Sequence, residues 1–464
     1  MKNFLVNFIH VFFANLVSLC TSILITLIVP KFITVEANGY FQLYLFFKNY
    51  LGVFGLGLVD GIILRYAGKF YDKLDKKLLG TQFKLFAFME MIIGIVMIIL
   101  SQIIIKDSGK IVVGVMLGIC LWFHLFGYYF QYILQATSRM DAFARAVLIE
   151  RISCSIITAL MLLVGVREFS MFIAADIAGK ALSMLYTFYA CRDIVFTKCC
   201  NIKYALKDMW YNASIGIKLL LSNIVSMLIV GFVRIAIERQ WDVSTFGKIS
   251  ISLSISNVLM VFIKAVSVVL LPTLRRTKSD KLAGIYMSVR NVMMVPLFGI
   301  MIAYYPAQYI LSMWLPQYAD SLQYIAILFP ICISESKTSM LTDTYMKNYR
   351  KEKWLLYINL FTICLSAMMA FVTTYLLHNL DLAVFSILIL LIIRSVIAEF
   401  CVQKLLHISL IKNIIQEVFM TAAFVLPAWF IGGIYGAVIY IVIYVVFLFT
   451  MKNNIKSAIK LVRR

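Results

Sequence analysis

The sequence is poor in acids and nearly without histidine. Its 464 residues hold 22 Asp and Glu against 43 Lys and Arg, with only four His. No phosphate-cradling glycine loop, HExxH or GxSxG pattern occurs. His124 lies inside an apolar run, where an interhelical hydrogen bond is the expected role. The nine cysteines sit in apolar runs or basic segments, Cys199-Cys200 among them. Their spacing suggests neither a disulfide framework nor a zinc site, and small buried or cytosolic thiols are expected. Long polar stretches are missing as well. A membrane glycosyltransferase or glycan polymerase would need acids or arginines on a sizeable outer loop, and the outer linkers are short. A net charge of +21 invites a nucleic-acid reading, but there is no soluble domain to hold a duplex.

What the chain has is apolar length. It is 62% hydrophobic, whereas soluble domains are ~45–50% apolar. The apolar residues come in blocks of about 20, the length a helix needs to cross a bilayer core. The alternating segments of a membrane β-barrel are not visible. The reading is an all-α polytopic membrane protein. The N-terminal run could pass for a signal peptide, but it is too long and no small-residue cleavage site follows. It reads as the first spanning helix. Fourteen segments are placed near 9–30, 39–64, 83–105, 111–136, 146–166, 170–190, 213–237, 245–271, 285–310, 321–346, 354–377, 380–403, 413–432 and 434–451.

The charge is one-sided. Six Lys and Arg lie in Arg65–Lys84. Arg139, Arg145 and Arg151 follow the fourth span, and Arg275, Arg276, Lys278, Lys281 and Arg290 follow the eighth. Basic residues also follow the sixth and tenth spans and fill the C-terminal tail. By the positive-inside rule this face, with both termini, is cytoplasmic. Five of the six tryptophans fall near segment ends, as an interfacial belt would.

The chain repeats itself. ANLVS at Ala14–Ser18 is echoed by SNIVS at Ser222–Ser226. At the same offset Gly39 meets Gly247, Asn49 meets Asn257, Leu51 meets Leu259 and Phe54 meets Phe262. The expected organisation is two parallel six-span lobes, 1–208 and 209–408, with 409–464 holding two further spans and a basic tail. Transporters built from such repeats bind substrate between them, near the midplane. Asn15, Asn49, Asn223 and Asn257 are expected to hydrogen-bond between helices.

Five cations fall well inside spans: Lys48, Lys180, Lys264, Lys337 and Arg394. Each costs roughly 2.5–3.5 kcal/mol at a helix centre on insertion scales, so each needs a wet cavity or a partner. Asp176 and Lys180 are four apart and can pair on one helical face. Glu399 and Glu335 are poorly placed for Arg394 and Lys337 within their own helices. Asp60 is near a cytoplasmic end, and Glu90 is expected to meet water or a cytoplasmic lysine. Lys264 has no acid in its own helix; an aqueous cavity or a salt bridge from another helix would each serve it. Cations around a cavity suit a phosphate or diphosphate head group. The acids Asp60, Glu90, Asp176, Glu335 and Glu399 are candidates for ion coupling or ion pairing. No metal site is expected.

Several stretches resemble a known family. Gly39–Lys77 (GYFQLYLFFKNYLGVFGLGLVDGIILRYAGKFYDKLDKK) resembles the second-span signature of the Wzx-type oligosaccharide flippases. Gly216–Arg276, ending in PTLRR, resembles the start of their second half. YILQATSRMDAFARA resembles their fourth-span exit, and WLPQYADSLQYIAILFP with TYMKNYRKEK their ninth-to-tenth region. The resemblance runs through most of Met1–Lys404 and places the chain in the superfamily that also holds the MATE exporters and the lipid II flippases. It implies a two-lobed bundle working by alternating access in the bacterial inner membrane. The implied substrate is an undecaprenyl-diphosphate-linked oligosaccharide, a repeat unit for O-antigen or capsule. The chain would be no enzyme and need no cofactor, with coupling to a proton or sodium gradient compatible. Its partners would be that substrate, membrane lipids and other glycan-assembly proteins, not nucleic acid, and it would work as a monomer. The alternative is a MATE-like exporter of small organic solutes, for which acids in the cavity would be expected.

Overall fold

A computed structural model describes residues 16–256 and 279–462. They form helices joined by short turns, with no strand among the described residues. Among the described residues eleven helices are long and apolar enough to cross a membrane, or twelve if one bent pair counts as a single span. Of the fourteen expected segments, 9–30 and 245–271 lie partly outside the described residues; the described part of the first is the short apolar helix Leu16–Phe32. The repeat matches at Ala14, Asn257, Leu259 and Phe262, and Lys264 itself, lie outside as well. Asn49 and Asn223 are exposed and make no side-chain hydrogen bond among the described residues, so the interhelical role expected of them is not seen.

The helices start and stop for local reasons. Asp75, Asp107, Thr34 and Asn379 each cap a helix by accepting from a backbone N–H three residues on. Gly165, in the left-handed conformation, ends Met140–Val164. Lys76–Ile104 has 29 residues, about 43 Å at 1.5 Å per residue. Ile92, Ile95, Ile99 and Ile103 form an exposed stripe along it, while Phe86, Glu90 and Gly94 face inward. That outward apolar stripe is what a bilayer covers.

The second span is broken. Val35–Lys48 runs into a tight 3-10 turn, Leu51–Gly55, then left-handed residues at Leu56 and Gly57, then Leu58–Tyr66. The two helical pieces meet at 66°. Gly57 and Gly61 let the second piece lie directly on the backbone of Asn212, Gly216 and Ile217; a Cβ at Gly61 would overlap the Asn212 carbonyl oxygen.

The described residues fall into two compact units divided between Ile224 and Val225, inside the long helix Ile202–Gln240. The first is centred on an aromatic cluster of Phe83, Phe86, Tyr129, Phe130 and Phe188. The second has cores around Tyr286 with Tyr345 and around Tyr304, Phe424 and Tyr440. The C-terminal helices Ile411–Phe430 and Gly433–Val462 are knitted into this second unit. Tyr440 and Tyr444 donate hydrogen bonds of 2.8 Å to the carbonyls of Phe298 and Val295.

Candidate functional site: buried charge networks

In the first unit, Lys48 at the end of Val35–Lys48 meets Asp176 on Phe169–Ala190 at 3.0 Å. Asp176 also accepts from the Tyr44 hydroxyl at 2.7 Å. Lys180, one turn beyond Asp176, turns instead to Glu150 on Met140–Val164, at 2.7 Å. The expected Asp176–Lys180 pair is therefore replaced by two pairs across helices. Carboxylates on other helices approach each ammonium directly, which two side chains on one helical face cannot do as well. At the end of this unit Arg65 binds Asp208 and Asn212, both at 2.8 Å, and Gln82 completes that network.

In the second unit four side chains from four helices close a network. Arg290 contacts Glu399 at 2.8 Å and also pairs with Glu417. Lys337 bridges the same two acids at 2.8 and 2.5 Å. Two cations face two anions, all buried. A cavity of about 20 Å³ lies beside Lys337 and Glu417, walled partly by Ser334, Ser395 and Thr421, with room for about one water. Immediately after Lys337 the helix widens to a π-turn over Thr338–Thr342, a local form frequent at functional sites. Nearby, Arg394 binds Glu335 at 2.9 Å, Asn359 at 2.9 Å and Ser226 at 3.0 Å.

Each of the four described cations thus has a carboxylate partner on another helix. Of the two needs read from sequence, a wet cavity or a partner, acids distant in sequence supply the partner. Lys264 lies outside the described residues. Among the acids, Asp176, Glu335 and Glu399 are ion-paired. Asp60 is half-buried and forms no ion pair among the described residues. Glu90 does not meet a lysine among the described residues: it is fully buried, and both carboxyl oxygens lack a partner there. His124 makes no interhelical hydrogen bond at Nδ1 and packs on Tyr128.

Sequence reasoning passed over Glu150, Arg290 and Glu417. Arg290 and Glu417 are each an isolated charge in an apolar run (YMSVRNVMMV, IIQEVFM), and Glu150 stands beside Arg151 in another (VLIERISC); those charges were the available signal. Arg290, grouped by sequence with the cytoplasmic cations, is 1% exposed. Arg151, grouped likewise, lies mid-helix with its Nε buried and unpartnered.

No family model matches the sequence, and no curated protein does. Solved structures do. Lipid II flippase MurJ, in an inward closed conformation, superposes with a TM-score of 0.65 at 16% identity, covering 97% of this chain and 99% of its own. The chain shares its fold with this flippase. An inward-facing multidrug resistance MATE family transporter of the MOP superfamily gives 0.62 at 13% identity, covering 89% of this chain and 95% of its own. A MOP superfamily transporter from Pyrococcus furiosus, described as having a binding pocket of reverse polarity, gives 0.51 at 12% identity, with 86% and 95% covered. The expected all-helical fold is shared with these three structures.

Proposed function

We propose that this chain is a flippase. It moves an undecaprenyl-diphosphate-linked oligosaccharide from the cytoplasmic to the outer leaflet of the bacterial inner membrane by alternating access, supplying O-antigen or capsule assembly. Both termini are cytoplasmic in this reading, as the one-sided Lys and Arg suggest. The observation that carries it is the extent of the match to the lipid II flippase fold. At 97% of this chain, too few residues are left over to omit either Ile411–Phe430 or Gly433–Val462. The MATE match, at 89%, leaves room to omit both.

The cations keep a role in this reading, through exchange. Glu335 is the most exposed partner, at 31%. A diphosphate arriving beside Arg394 would compete with Glu335, trading one charge-assisted pair for another. Lys48 would trade Asp176 in the same way, and Lys264 would add a further charge. Lys180 and Lys337, 4% exposed, would hold the helices. Gradient coupling by protons or sodium fits the orphan acid Glu90.

The test is deletion of the gene in its host, with complementation. Loss of surface glycan with lipid-linked repeat units retained on the cytoplasmic leaflet is expected. Unchanged glycan with greater sensitivity to organic cations would overturn this reading in favour of the MATE-like exporter. Arg394→Ala and Lys264→Ala, at normal protein levels, are each expected to lower surface glycan.

A further inference from the structure

Glu90 sits at the middle of Lys76–Ile104, with 14 residues on either side. It has no exposed surface, and neither carboxyl oxygen finds a donor. Among the described residues no other carboxylate is buried with both oxygens unsatisfied. An ionised carboxylate in that position would lack water, partner and counter-charge together, a cost of several kcal/mol or more. A protonated carboxyl escapes most of it.

Among the described residues the surroundings offer no counter-charge. On the same helix the nearest cation is Lys84, whose ammonium is 2.7 Å from the Thr197 carbonyl. From Ser108–Ala136, Trp122 donates its indole N–H to the Glu90 backbone carbonyl, leaving the carboxyl alone. On that same helix the Tyr129 hydroxyl is spent on the Leu79 carbonyl, Cys120 accepts from Tyr44, and His124 packs with Tyr128. The 3-10 turn Leu51–Gly55 carries no titratable residue. The turn Arg192–Val195 contributes Arg192, which lies over the Tyr189 ring, and Asp193, which is held by Lys76 at the far end of the helix.

Location gives this carboxyl a possible use. One turn before it, Phe86 packs against Gly55, at the break of the second span. One turn after it, Gly94 accommodates Trp122. Rearrangement of that break would move Phe86, one turn from Glu90.

We infer that Glu90 is a proton-binding site of the first unit, loaded in the packing seen here and emptied when movement at the broken second span admits water. The cycle is balanced without any other reagent: an O–H bond forms with a proton taken from water on one side, and breaks when water on the other side accepts it. This deepens the flippase reading by naming its coupling ion, and its first test stands apart from transport.

That first test is infrared difference spectroscopy of the purified full chain in lipid. A carbonyl band of a protonated carboxylic acid is expected at neutral pH, absent in Glu90→Gln. No such band, or a band unchanged in Glu90→Gln, would overturn the inference whatever the substrate. The second test is transport against a pH gradient. Glu90→Gln, isosteric with the protonated form, is expected to fold and to lose the dependence of transport on the gradient. Glu90→Asp is expected to retain dependence with a shifted pH profile. Wild-type gradient dependence in Glu90→Gln would also overturn it, whereas absence of flipping by the wild type with the infrared band intact would refute only the flippase reading.

Discussion

Lys180 and Glu150 form a pair in which each side chain is nearly inaccessible. Such a pair is costly to break on one side, because the other charge is then left buried. Lys180→Met is expected to destabilise by about 3–5 kcal/mol. Lys180→Met with Glu150→Leu should recover most of that loss, since apolar replacement of both partners is often neutral. Thermal unfolding of both variants in detergent checks this; equal losses would deny the pairing. Outside the membrane-spanning helices, Asp193 accepts from Tyr71 and meets Lys76, both at 2.6 Å. Burial alone would raise the Asp193 carboxyl, but the Lys76 ammonium and Tyr71 hydroxyl outweigh it and hold it below its usual value. The stabilisation is thus present above the ordinary carboxylate value, ~3.9, and lost as pH falls through the lower folded value. Hydrogen exchange in 191–197 should quicken on acidification through that window, and Asp193→Asn should abolish the change. The residues of these networks were only half legible in sequence. Buried cations are conspicuous as costs, so Lys48, Lys180, Lys337 and Arg394 stood out. Their partners did not, because an acid 30 to 128 residues away is identified only when helices are assembled.

Helices were legible from apolar length alone, since a bilayer imposes it. The break in the second span was not, because an apolar run reads the same whether straight or bent. The clue was FGLGLVDG, whose glycines permit both a left-handed turn at Gly57 and contact with the Asn212 backbone at Gly61. These glycines are not equivalent to Gly52, which has open space and no left-handed backbone. Gly61→Ala is expected to cost about 1–3 kcal/mol, because the obstructing atom is backbone and cannot turn aside. Gly52→Ala should stay within about 0.5 kcal/mol of wild type. Paired melting curves of the two variants compare them, and similar stabilities would argue against a tight crossing.

At the scale of the molecule, the six-plus-six repeat made the last two spans look like an appendix. Their packing makes them part of the second unit. Among the described residues Glu417 is one of two acids facing Arg290 and Lys337. Removing the chain beyond residue 408 is expected to leave both cations with Glu399 alone and to deplete the protein from membranes. Immunoblots of membrane fractions would show it; a truncated chain as abundant and heat-stable as the full one would restore the appendix view. Sequence could not expose this dependence, because hydropathy counts spans but says nothing about which ones share a charge.

The order of the four charges along the chain sets a schedule for biogenesis. Arg290 and Lys337 are synthesised first, Glu399 next and Glu417 last. Lys337 precedes Glu417 by 80 residues, about 4–16 s of translation at ~5–20 residues per second. For that interval the growing second unit holds more positive than negative charge at membrane depth. A ribosome stalled short of Glu417 would leave a segment that the insertion machinery must shelter and that quality-control proteases could recognise. The late acid therefore completes the charge balance of this network.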